Sequence, residues 1–277
     1  MVIREVYKMM QEIMASNPNS DPAFEAGQLV EFVTGKKRID VMNDEASRET
    51  EKKLLEYAQK RKEGYPLQYI LGRWQFFDME LCVGEGVLVP RQDTETVCEA
   101  AFEVAKKIGQ PAVLDLCSGS GCIALAVKKF CPDAQVVAIE KSDQAFEYLK
   151  KNIELTGLKI LPVQGDVFSY DRHIEEESFD IIISNPPYID PAVKSELQTE
   201  VGFEPEMALF ADDKGLKFYK FIAHYYKEIL RYGGYLIFEY GYDQQKSVKN
   251  ILLDEGYTIV KEIVDLGGNP RGVVARK

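Results

Sequence analysis

The sequence lacks any apolar run approaching the roughly 18 residues that a membrane-spanning helix requires. Its first stretch, MVIREVYKMMQEIMAS, carries charges throughout, which is typical of an amphipathic helix and not of a signal peptide. We therefore expect a cytoplasmic protein with no membrane partner. With 277 residues, 45% of them hydrophobic and 29% charged, the chain can form one large or two ordinary globular domains.

Cysteine and histidine are both scarce, and this weakens several classes of active site. The five cysteines include no C-x-x-C pair, so neither a disulfide framework nor a zinc site has its usual spacing. The two histidines, His173 and His224, lie in unrelated contexts. Serine and cysteine nucleophiles usually need a histidine base, so we expect neither a catalytic triad nor a bound metal.

An excess of positive charge is also missing. The formal net charge is −11, with 34 Lys and Arg against 45 Asp and Glu, and neither residues 1–90 nor residues 91–277 are basic. Proteins that grip duplex DNA by its phosphates usually present a basic face. This balance argues against a DNA partner.

The first part of the chain has a helical pattern. Asp21-Pro22 supplies an N-cap and a first-turn proline for a helix that ends at Gly35, and Asn43 can cap a longer helix that ends at Gly64. Beyond Trp74, short β-type runs interrupted by glycine predict a hairpin-like connector. We therefore expect a helical domain at residues 1–74, a connector at 75–92 and a larger domain at 93–277.

In the larger domain, helical and strand patterns alternate. Strands are predicted in AVLDLC, QVVAIE, LPVQGD, FDIIIS and GYLIFEY, and helices between them, one of which covers the whole of LKFYKFIAHYYKEILRYG. Such alternation predicts a doubly wound, mostly parallel α/β sheet. Two β-branched runs without a helix between them, YTIVKEIVDL and GVVARK, predict an antiparallel edge.

A glycine loop follows the first predicted strand in VLDLCSGSGCIALA, where open α/β sheets bind ligands. No G-K-[ST] follows, so the loop is not a P-loop, but the spacing alone does not exclude NAD. The next strand ends in Glu140 and the third in Gly165-Asp166, so acids suited to ribose hydroxyls and to an exocyclic amine lie at neighbouring strand ends. A nucleoside with a neutral or cationic tail, such as S-adenosylmethionine, fits this set better than a pyrophosphate.

The fourth predicted strand ends in Ser184-Asn185-Pro186-Pro187-Tyr188, which we expect next to the glycine loop. Prolines fix φ and restrict the preceding residue, so the turn holds its acceptors rigidly. The Asn185 side-chain oxygen and the Pro186 carbonyl can accept both hydrogens of an –NH₂ group, and Tyr188 can stack on it. Such positioning favours methyl transfer to a planar nitrogen.

Several stretches of the sequence together resemble a known family. DLCSGSGCIALA followed by NPPYI is similar to class I methyltransferases that act on –NH₂ nitrogens. Five further stretches, PLQYILGRWQFFDMEL, VLVPRQDTE, GDVFSY, GFEPEMALFADDKGLKFYKFI and DLGGNPRGVVAR, resemble the protein-(glutamine-N5) methyltransferases, the HemK/PrmC release-factor enzymes. The resemblance covers roughly residues 64–277, and VLVPRQDTE is its most discriminating part because NPPY also occurs in DNA adenine methyltransferases.

The resemblance implies a class I, Rossmann-like S-adenosylmethionine methyltransferase, a monomer without a metal, that acts in translation termination. Its substrate would be the glutamine of the Gly-Gly-Gln loop in class I peptide-chain release factors, docked in part by the helical domain. S-adenosylmethionine, leaving as S-adenosylhomocysteine, would contact the residues Cys117, Ser118, Gly119, Ser120, Gly121, Glu140, Asp166, Val167 and Asn185. The glutamine amide would bind Asn185, Pro186, Pro187 and Tyr188, of which Asn185, Pro186 and Tyr188 would be catalytic.

Three positions depart from the family pattern: Cys117 replaces a usual glycine, Glu140 a frequent aspartate, and Gln92 the second connector proline. The sequence reveals no chemical role for Arg91, and a structural salt bridge fits this position as well as a role at the site does. Methylation of a ribosomal-protein glutamine, DNA adenine methylation and an inactive cofactor-binding adaptor remain alternatives at this stage. The intact Asn185–Tyr188 turn argues against the adaptor.

Overall fold

The computed structural model describes all 277 residues, and the chain divides by its contacts into two compact units. The first unit comprises Met1–Arg73 and Leu197–Phe203, and the second comprises Trp74–Glu196 and Glu204–Lys277. The chain therefore enters the first unit twice, which the sequence did not predict. None of the helices combines the length and the apolar character needed to cross a membrane.

The first unit is helical, as the sequence predicts. Its five helices are α1 (Ile3–Met14), α2 (Pro22–Thr34), α3 (Arg38–Val41), α4 (Arg48–Lys62) and α5 (Leu67–Leu71). Apolar side chains on the facing sides of α1, α2 and α4 are fully buried, among them Val6, Met10, Met14, Leu29 and Leu54. This spacing of three to four residues forms the apolar stripe of an amphipathic helix, and burial of these stripes stabilises the unit.

Local capping explains where these helices begin. The Asp21 carboxylate accepts a hydrogen bond from the Phe24 N–H at 3.1 Å, and Pro22 occupies the first helical position, as predicted. The predicted cap of α4 was wrong: Ser47, not Asn43, accepts from the backbone N–H of Thr50 at 3.0 Å. The Asn43 side chain instead accepts a hydrogen bond from Arg4 at 2.6 Å.

The second unit begins with a two-stranded sheet and continues as an α/β fold. Its strands are β1 (Arg73–Phe76), β2 (Met79–Cys82), β3 (Ala112–Leu116), β4 (Gln135–Glu140), β5 (Leu161–Gln164), β6 (Phe179–Ser184), β7 (Leu230–Glu239), β8 (Thr258–Val264) and β9 (Pro270–Arg276). Its helices are α6 (Gln92–Ile108), α7 (Cys122–Phe130), α8 (Asp143–Thr156), α9 (Val167–Tyr170), α10 (Glu206–Leu209), α11 (Lys217–Tyr225) and α12 (Gln245–Asp254). Short 3₁₀ segments of this unit cover Asp171–His173 and Pro191–Glu196, and a third, Thr199–Phe203, belongs to the first unit.

Seven strands form the main sheet in the order β5-β4-β3-β6-β7-β9-β8. The first five strands in this order, β5, β4, β3, β6 and β7, are parallel. Strand β9 runs antiparallel to both β7 and β8, which confirms the predicted mixed sheet. Alternate residues of β6 enter different cores: Ile181 and Ile183 pack with α6 and α7, while Ile182 packs with α11. Helices on both faces explain why this strand is apolar without alternation.

One predicted helix is too long. The sequence pattern extends it through Gly233, but α11 ends at Tyr225 and Leu230 begins β7. There, Leu230 pairs with Phe179 of β6, and the Ile229 carbonyl accepts hydrogen bonds from the N–H groups of Ser178 and Phe179. Pairing with a neighbouring strand, which a local pattern does not encode, overrides the helical preference of this segment.

Candidate functional site

One cavity of the second unit lies where the parallel strands end. Within the sheet register, Leu116 of β3 pairs with Ile139 of β4 and with Ser184 of β6, so the segments after these strands meet at one edge. The cavity encloses about 1030 Å³ of space that is partly open to solvent. Nine of the predicted site residues line it: Cys117, Ser118, Gly119, Ser120, Glu140, Asp166, Val167, Asn185 and Pro187. Three others, Gly121, Pro186 and Tyr188, are not part of its lining.

Three residues of the glycine loop have a left-handed backbone conformation, and the first of them precedes the glycines. Cys117 has φ +60°, and Gly119 and Gly121 have φ +54° and +81°. A left-handed conformation favours glycine, which explains why a glycine suits the position of Cys117. At Gly121, a Cβ atom would lie 2.4 Å from Cδ1 of the fully buried Leu149. Gly121 therefore allows close packing of the loop and the start of α7 against α8.

The Glu140 carboxylate, at the end of β4, accepts hydrogen bonds that fix the backbone of this loop. One oxygen accepts a hydrogen bond from the Gly119 N–H at 2.8 Å, and the other accepts from the Ser142 N–H at 2.7 Å. Burial raises the pKa of this carboxyl, and the backbone donors counteract part of that effect. Each oxygen retains a further lone pair, so the carboxylate can hold the loop and still accept hydrogen bonds from a ligand in the cavity.

Asp166 follows β5 and serves as the N-cap of α9. Its Oδ1 accepts from the Phe168 N–H at 3.0 Å, and its Oδ2 lies 2.9 Å from the Lys141 ammonium. Burial raises the pKa of Asp166, but the hydrogen bonds from Phe168 and Lys141 outweigh it, so the pKa is lowered. The ionised Asp166 carboxylate therefore lines the cavity after β5, whereas the NPPY turn lines it after β6, and β4 and β3 lie between these two strands.

The NPPY turn (Asn185–Tyr188) is fixed from several directions. The Ser184 hydroxyl, fully buried, donates to the Leu116 carbonyl at 2.7 Å and ties the end of β6 to β3. The Tyr188 carbonyl accepts from the Gln244 side chain at 2.9 Å. A Cβ atom at Gly215, which has φ +78°, would come within 1.9 Å of that same carbonyl oxygen. Only glycine fits at Gly215 without displacing the turn.

Two residues outside the predicted set contact the Asn185 side chain. Asn185 Nδ2 donates to the Thr94 hydroxyl at 3.5 Å, and the side chains of Thr94 and Asn185 both hydrogen-bond the Glu239 carboxyl at the end of β7. Thr94 and Glu239 are each 2% exposed. The sequence held a signal for Glu239, because an acid ends the apolar run YLIFE just as Glu140 ends QVVAIE.

Charged residues of the VLVPRQDTE stretch form ion pairs beside the cavity. Arg91 pairs with the carboxylate of Glu204, a residue whose side chain is 2% exposed. Arg271 of β9 bridges Asp93, at 3.0 Å, and Asp265, at 3.1 Å. The salt bridge considered for Arg91 is therefore present, and this stretch connects α6 to both β9 and the segment before α10.

Comparisons with known proteins agree with this geometry. Residues 5–72 match the family model described as the PrmC N-terminal domain, and residues 100–202 match the one described as the methyltransferase small domain. A release factor glutamine methyltransferase of Thermodesulfovibrio yellowstonii is 36% identical over 239 residues, which cover 85% of this chain and 85% of that protein. The chain belongs to the release factor glutamine methyltransferase family. The family's member from Salmonella typhimurium is 33% identical over 265 residues, covering 93% of each chain.

Solved structures show the same fold as this family member at low sequence identity. The T. thermophilus 16S rRNA methyltransferase RsmC, in complex with AdoMet and guanosine, has a TM-score of 0.50 and 20% identity over 74% of this chain and 49% of that one. The hMettl16 catalytic domain, in complex with an RNA hairpin, has a TM-score of 0.53 and 18% identity over 70% of this chain and 75% of that one.

Membership of the release factor glutamine methyltransferase family confirms the predicted family, fold class and enzyme class. The protein is a methyltransferase that depends on S-adenosylmethionine. The role of each individual site residue stays a prediction, as do the boundaries at residues 74 and 92 and the monomeric state.

Proposed function

We propose that the protein transfers the methyl group of S-adenosylmethionine to the side-chain nitrogen N5 of a glutamine in the Gly-Gly-Gln loop of class I peptide-chain release factors. The observation that carries this proposal is the shared cavity: Asn185 and Pro187 of the NPPY turn line the same space as Glu140 and Asp166. A cofactor and a planar nitrogen can therefore meet there. The names of the relatives support release factors as the substrate class.

The residues present fit S-adenosylmethionine. Glu140 would accept hydrogen bonds from the ribose hydroxyls, since its carboxylate already lies at the end of β4 beside the Gly119 N–H. Asp166 and Val167 would flank the adenine, and the backbone of Cys117–Gly121 would approach the methionine part. The left-handed loop, which carries no side chain at Gly119, leaves room for such an approach. When bound, S-adenosylmethionine supplies an electrophilic methyl group and a thioether leaving group.

The NPPY turn would supply the catalytic positioning. An amide nitrogen is a poor nucleophile because its lone pair is delocalised into the carbonyl group. The Asn185 side-chain oxygen and the Pro186 carbonyl would accept the two amide hydrogens and aim the lone pair of the nitrogen at the methyl group. Tyr188 is proposed to stack on the planar amide. The rigid attachment of the turn, through Ser184 and Gln244, restricts its motion.

The helical first unit is proposed to contribute to release-factor docking, and its match to the PrmC N-terminal domain supports this role. The acidic charge of the chain, −11, argues against duplex DNA as the substrate. Methylation of a ribosomal-protein glutamine uses the same chemistry and differs only in the docked protein.

Incubation with labelled S-adenosylmethionine distinguishes these substrates. The protein is mixed in parallel with a purified class I release factor, with ribosomal proteins and with duplex DNA. We expect label on the glutamine of the release factor and none on DNA. A release factor whose Gly-Gly-Gln glutamine is replaced by alanine should take up no label. Label on DNA or on ribosomal proteins alone would overturn the proposal.

Replacement of Asn185 by alanine tests the turn itself. We expect Asn185→Ala to abolish most methyl transfer, a loss of ~100-fold or more, because the amide loses its main acceptor. Affinity for S-adenosylhomocysteine, measured by calorimetry, should stay within about threefold. The exposed Asn250 on α12 offers a matched control, and Asn250→Ala should transfer methyl groups at the normal rate. Near-normal activity of Asn185→Ala would show that the turn does not bind the amide.

A further inference from the structure

The carboxyl group of Glu239 is buried without a cation of its own. It ends β7, is 2% exposed, and its Oε2 atom has no hydrogen-bond partner. The nearby guanidinium of Arg271 is already held by Asp93 and Asp265. A buried carboxyl group that lacks a salt bridge destabilises the fold, so its presence beside the catalytic turn calls for a functional reason.

The register of the sheet explains why Glu239 reaches the NPPY turn. Ser184 of β6 pairs with Phe238 of β7, so the next residues along these strands, Asn185 and Glu239, are neighbours. The carboxyl group of Glu239 is hydrogen-bonded by the side chains of both Thr94 and Asn185. Thr94 and Asn185 also line the cavity and lie 3.5 Å apart, measured from Thr94 Oγ1 to Asn185 Nδ2.

Donor and acceptor chemistry determines how the Asn185 amide must point. An ionised carboxylate only accepts hydrogen bonds, so the single proton of the Thr94 hydroxyl is donated to Glu239. The Thr94 oxygen then offers only lone pairs to Asn185. Both neighbours therefore require the –NH₂ end of Asn185, and its carbonyl oxygen is left for the cavity.

We propose that Glu239 and Thr94 are positioning residues that lock the Asn185 amide with its oxygen directed at the substrate nitrogen. This inference rests on the proposed function, in which that oxygen accepts a hydrogen bond from the substrate amide. A flipped Asn185 would present two N–H donors to the substrate –NH₂ group, and no hydrogen bond could form. Thr94 belongs to the VLVPRQDTE stretch, and this role explains why an uncharged hydroxyl lies between its charged residues.

Protonation of Glu239 would release this constraint on the orientation of the Asn185 amide, which we call the lock. Burial raises the pKa of Glu239 to about 7, and the hydrogen bonds from Thr94 and Asn185 oppose that rise. A protonated Glu239 can donate to the Asn185 oxygen and stabilise the flipped amide, so methyl transfer should increase as the pH rises through about 7.

The charged and titratable groups that interact with Glu239 are Asp93, Arg271, Cys98, Cys122, Tyr188 and Tyr219. Burial raises the pKa of these thiols and phenols far above neutrality, so none of them would produce this step.

The kinetic test compares pH profiles of kcat for methyl transfer to a release factor. Glu239→Gln keeps the size of the side chain but resembles the protonated acid, so kcat should fall ~10- to 100-fold above neutral pH and lose its pH step. Thr94→Val should lower kcat about tenfold and move the step to higher pH, because a hydrogen bond to the ionised carboxylate is lost. Thr96→Val is the matched control on α6, since its hydroxyl donates to the Asp93 backbone carbonyl at 2.7 Å. It should retain the wild-type profile.

A measurement without any substrate isolates the lock from the reaction. The side-chain –NH₂ resonances of Asn185 are assigned by their absence from the spectrum of Asn185→Ala. In the wild-type protein they should shift with a midpoint near pH 7, and in Glu239→Gln this titration should disappear. Thermal unfolding verifies that both variants are folded under the conditions used.

The two measurements separate the possible failures. If the wild-type protein does not methylate release factors but the Asn185 resonances titrate with Glu239, the proposed function is wrong and the lock exists. If methylation occurs but Glu239→Gln keeps both the wild-type kcat and the wild-type pH profile, the lock is overturned. Titration of Asn185 that persists in Glu239→Gln would also overturn it.

Discussion

Nη2 of Arg61 lies 2.7 Å from Oε1 of Glu200, a residue 139 positions further along the chain. The same nitrogen lies 2.7 Å from Oε1 of Glu25, and Nε of Arg61 donates to the other oxygen of Glu25 at 2.9 Å. The Arg61 side chain is 2% exposed. This buried cluster holds Leu197–Phe203 within the helical unit, although that segment follows the NPPY turn in sequence.

Replacement of Arg61 should therefore destabilise the helical unit. Arg61→Met leaves the buried Glu25 carboxylate without its cation, and we expect a loss of about 3–5 kcal/mol in the free energy of unfolding. Urea denaturation followed by circular dichroism measures this loss. Lys62→Met, at an exposed position of the same helix, should change stability by less than about 0.5 kcal/mol. Equal stability of the two variants would contradict the importance of the cluster.

Gly215 should be indispensable for the position of the NPPY turn. An alanine Cβ there would overlap the Tyr188 carbonyl at 1.9 Å, so Gly215→Ala must move the NPPY turn. We expect methyl transfer to fall by ~10-fold or more, together with a loss of stability greater than about 1 kcal/mol. Gly157→Ala is the control, because Gly157 also has a left-handed φ, +65°, but nothing within 4 Å of its Cβ position. It should lose only about 1 kcal/mol and keep full activity.

Asp115 should make stability depend on pH. Its carboxyl group is fully buried at the end of β3, Oδ1 has no partner, and burial raises its pKa to about 8 from an ordinary value of 3.8. Between these two values the folded state binds more protons than the unfolded state, so the free energy of unfolding decreases as the pH rises from about 4 to about 8. Asp115→Asn should flatten this decrease by a few kcal/mol, roughly 1.4 kcal/mol per pKa unit. Urea denaturation at a series of pH values checks it, and an unchanged slope would contradict the assignment.

Glu140 should control cofactor affinity. In Glu140→Gln an –NH₂ group, which donates, replaces one of the two carboxylate oxygens. The side chain can then no longer accept hydrogen bonds on separate oxygens from the Gly119 and Ser142 N–H groups. We expect affinity for S-adenosylhomocysteine to fall by ~10-fold or more, as measured by calorimetry. Glu147→Gln, on the exposed side of α8, should bind normally. Similar affinities for the two variants would show that Glu140 does not contact the cofactor.

The local sequence encoded much of the α/β fold. The alternation of apolar runs and amphipathic helices predicted the parallel strands, and the last two β-branched runs predicted the antiparallel edge, because both patterns follow from which faces each element buries. The prediction failed at residues 226–233, where a helical pattern covers a turn and the start of β7. Helix and strand preferences are similar there, and the pairing of Leu230 with Phe179, 51 residues earlier, decides the outcome.

The candidate site was predictable where a motif carries its own geometry. Glycines, prolines and acids at strand ends indicate a ligand site because the carboxyl ends of parallel strands meet. Glu239 shares this strand-end signal with Glu140, but Thr94 carries no such signature, since its importance comes only from its contacts with Asn185 and Glu239. The same holds for Gly215, whose requirement for glycine depends on a carbonyl group 27 residues away in sequence.

The sequence by itself determined the fold class, the NPPY turn and the resemblance to the release factor glutamine methyltransferases, because these depend on residue type and short-range spacing. Only the tertiary structure decided that Glu239 and Thr94 surround the Asn185 amide, and that Arg61 holds Leu197–Phe203 within the helical unit. Both arrangements join residues far apart along the chain. Their energies come from buried hydrogen bonds and charges, whose strength depends on the exclusion of water by the folded protein.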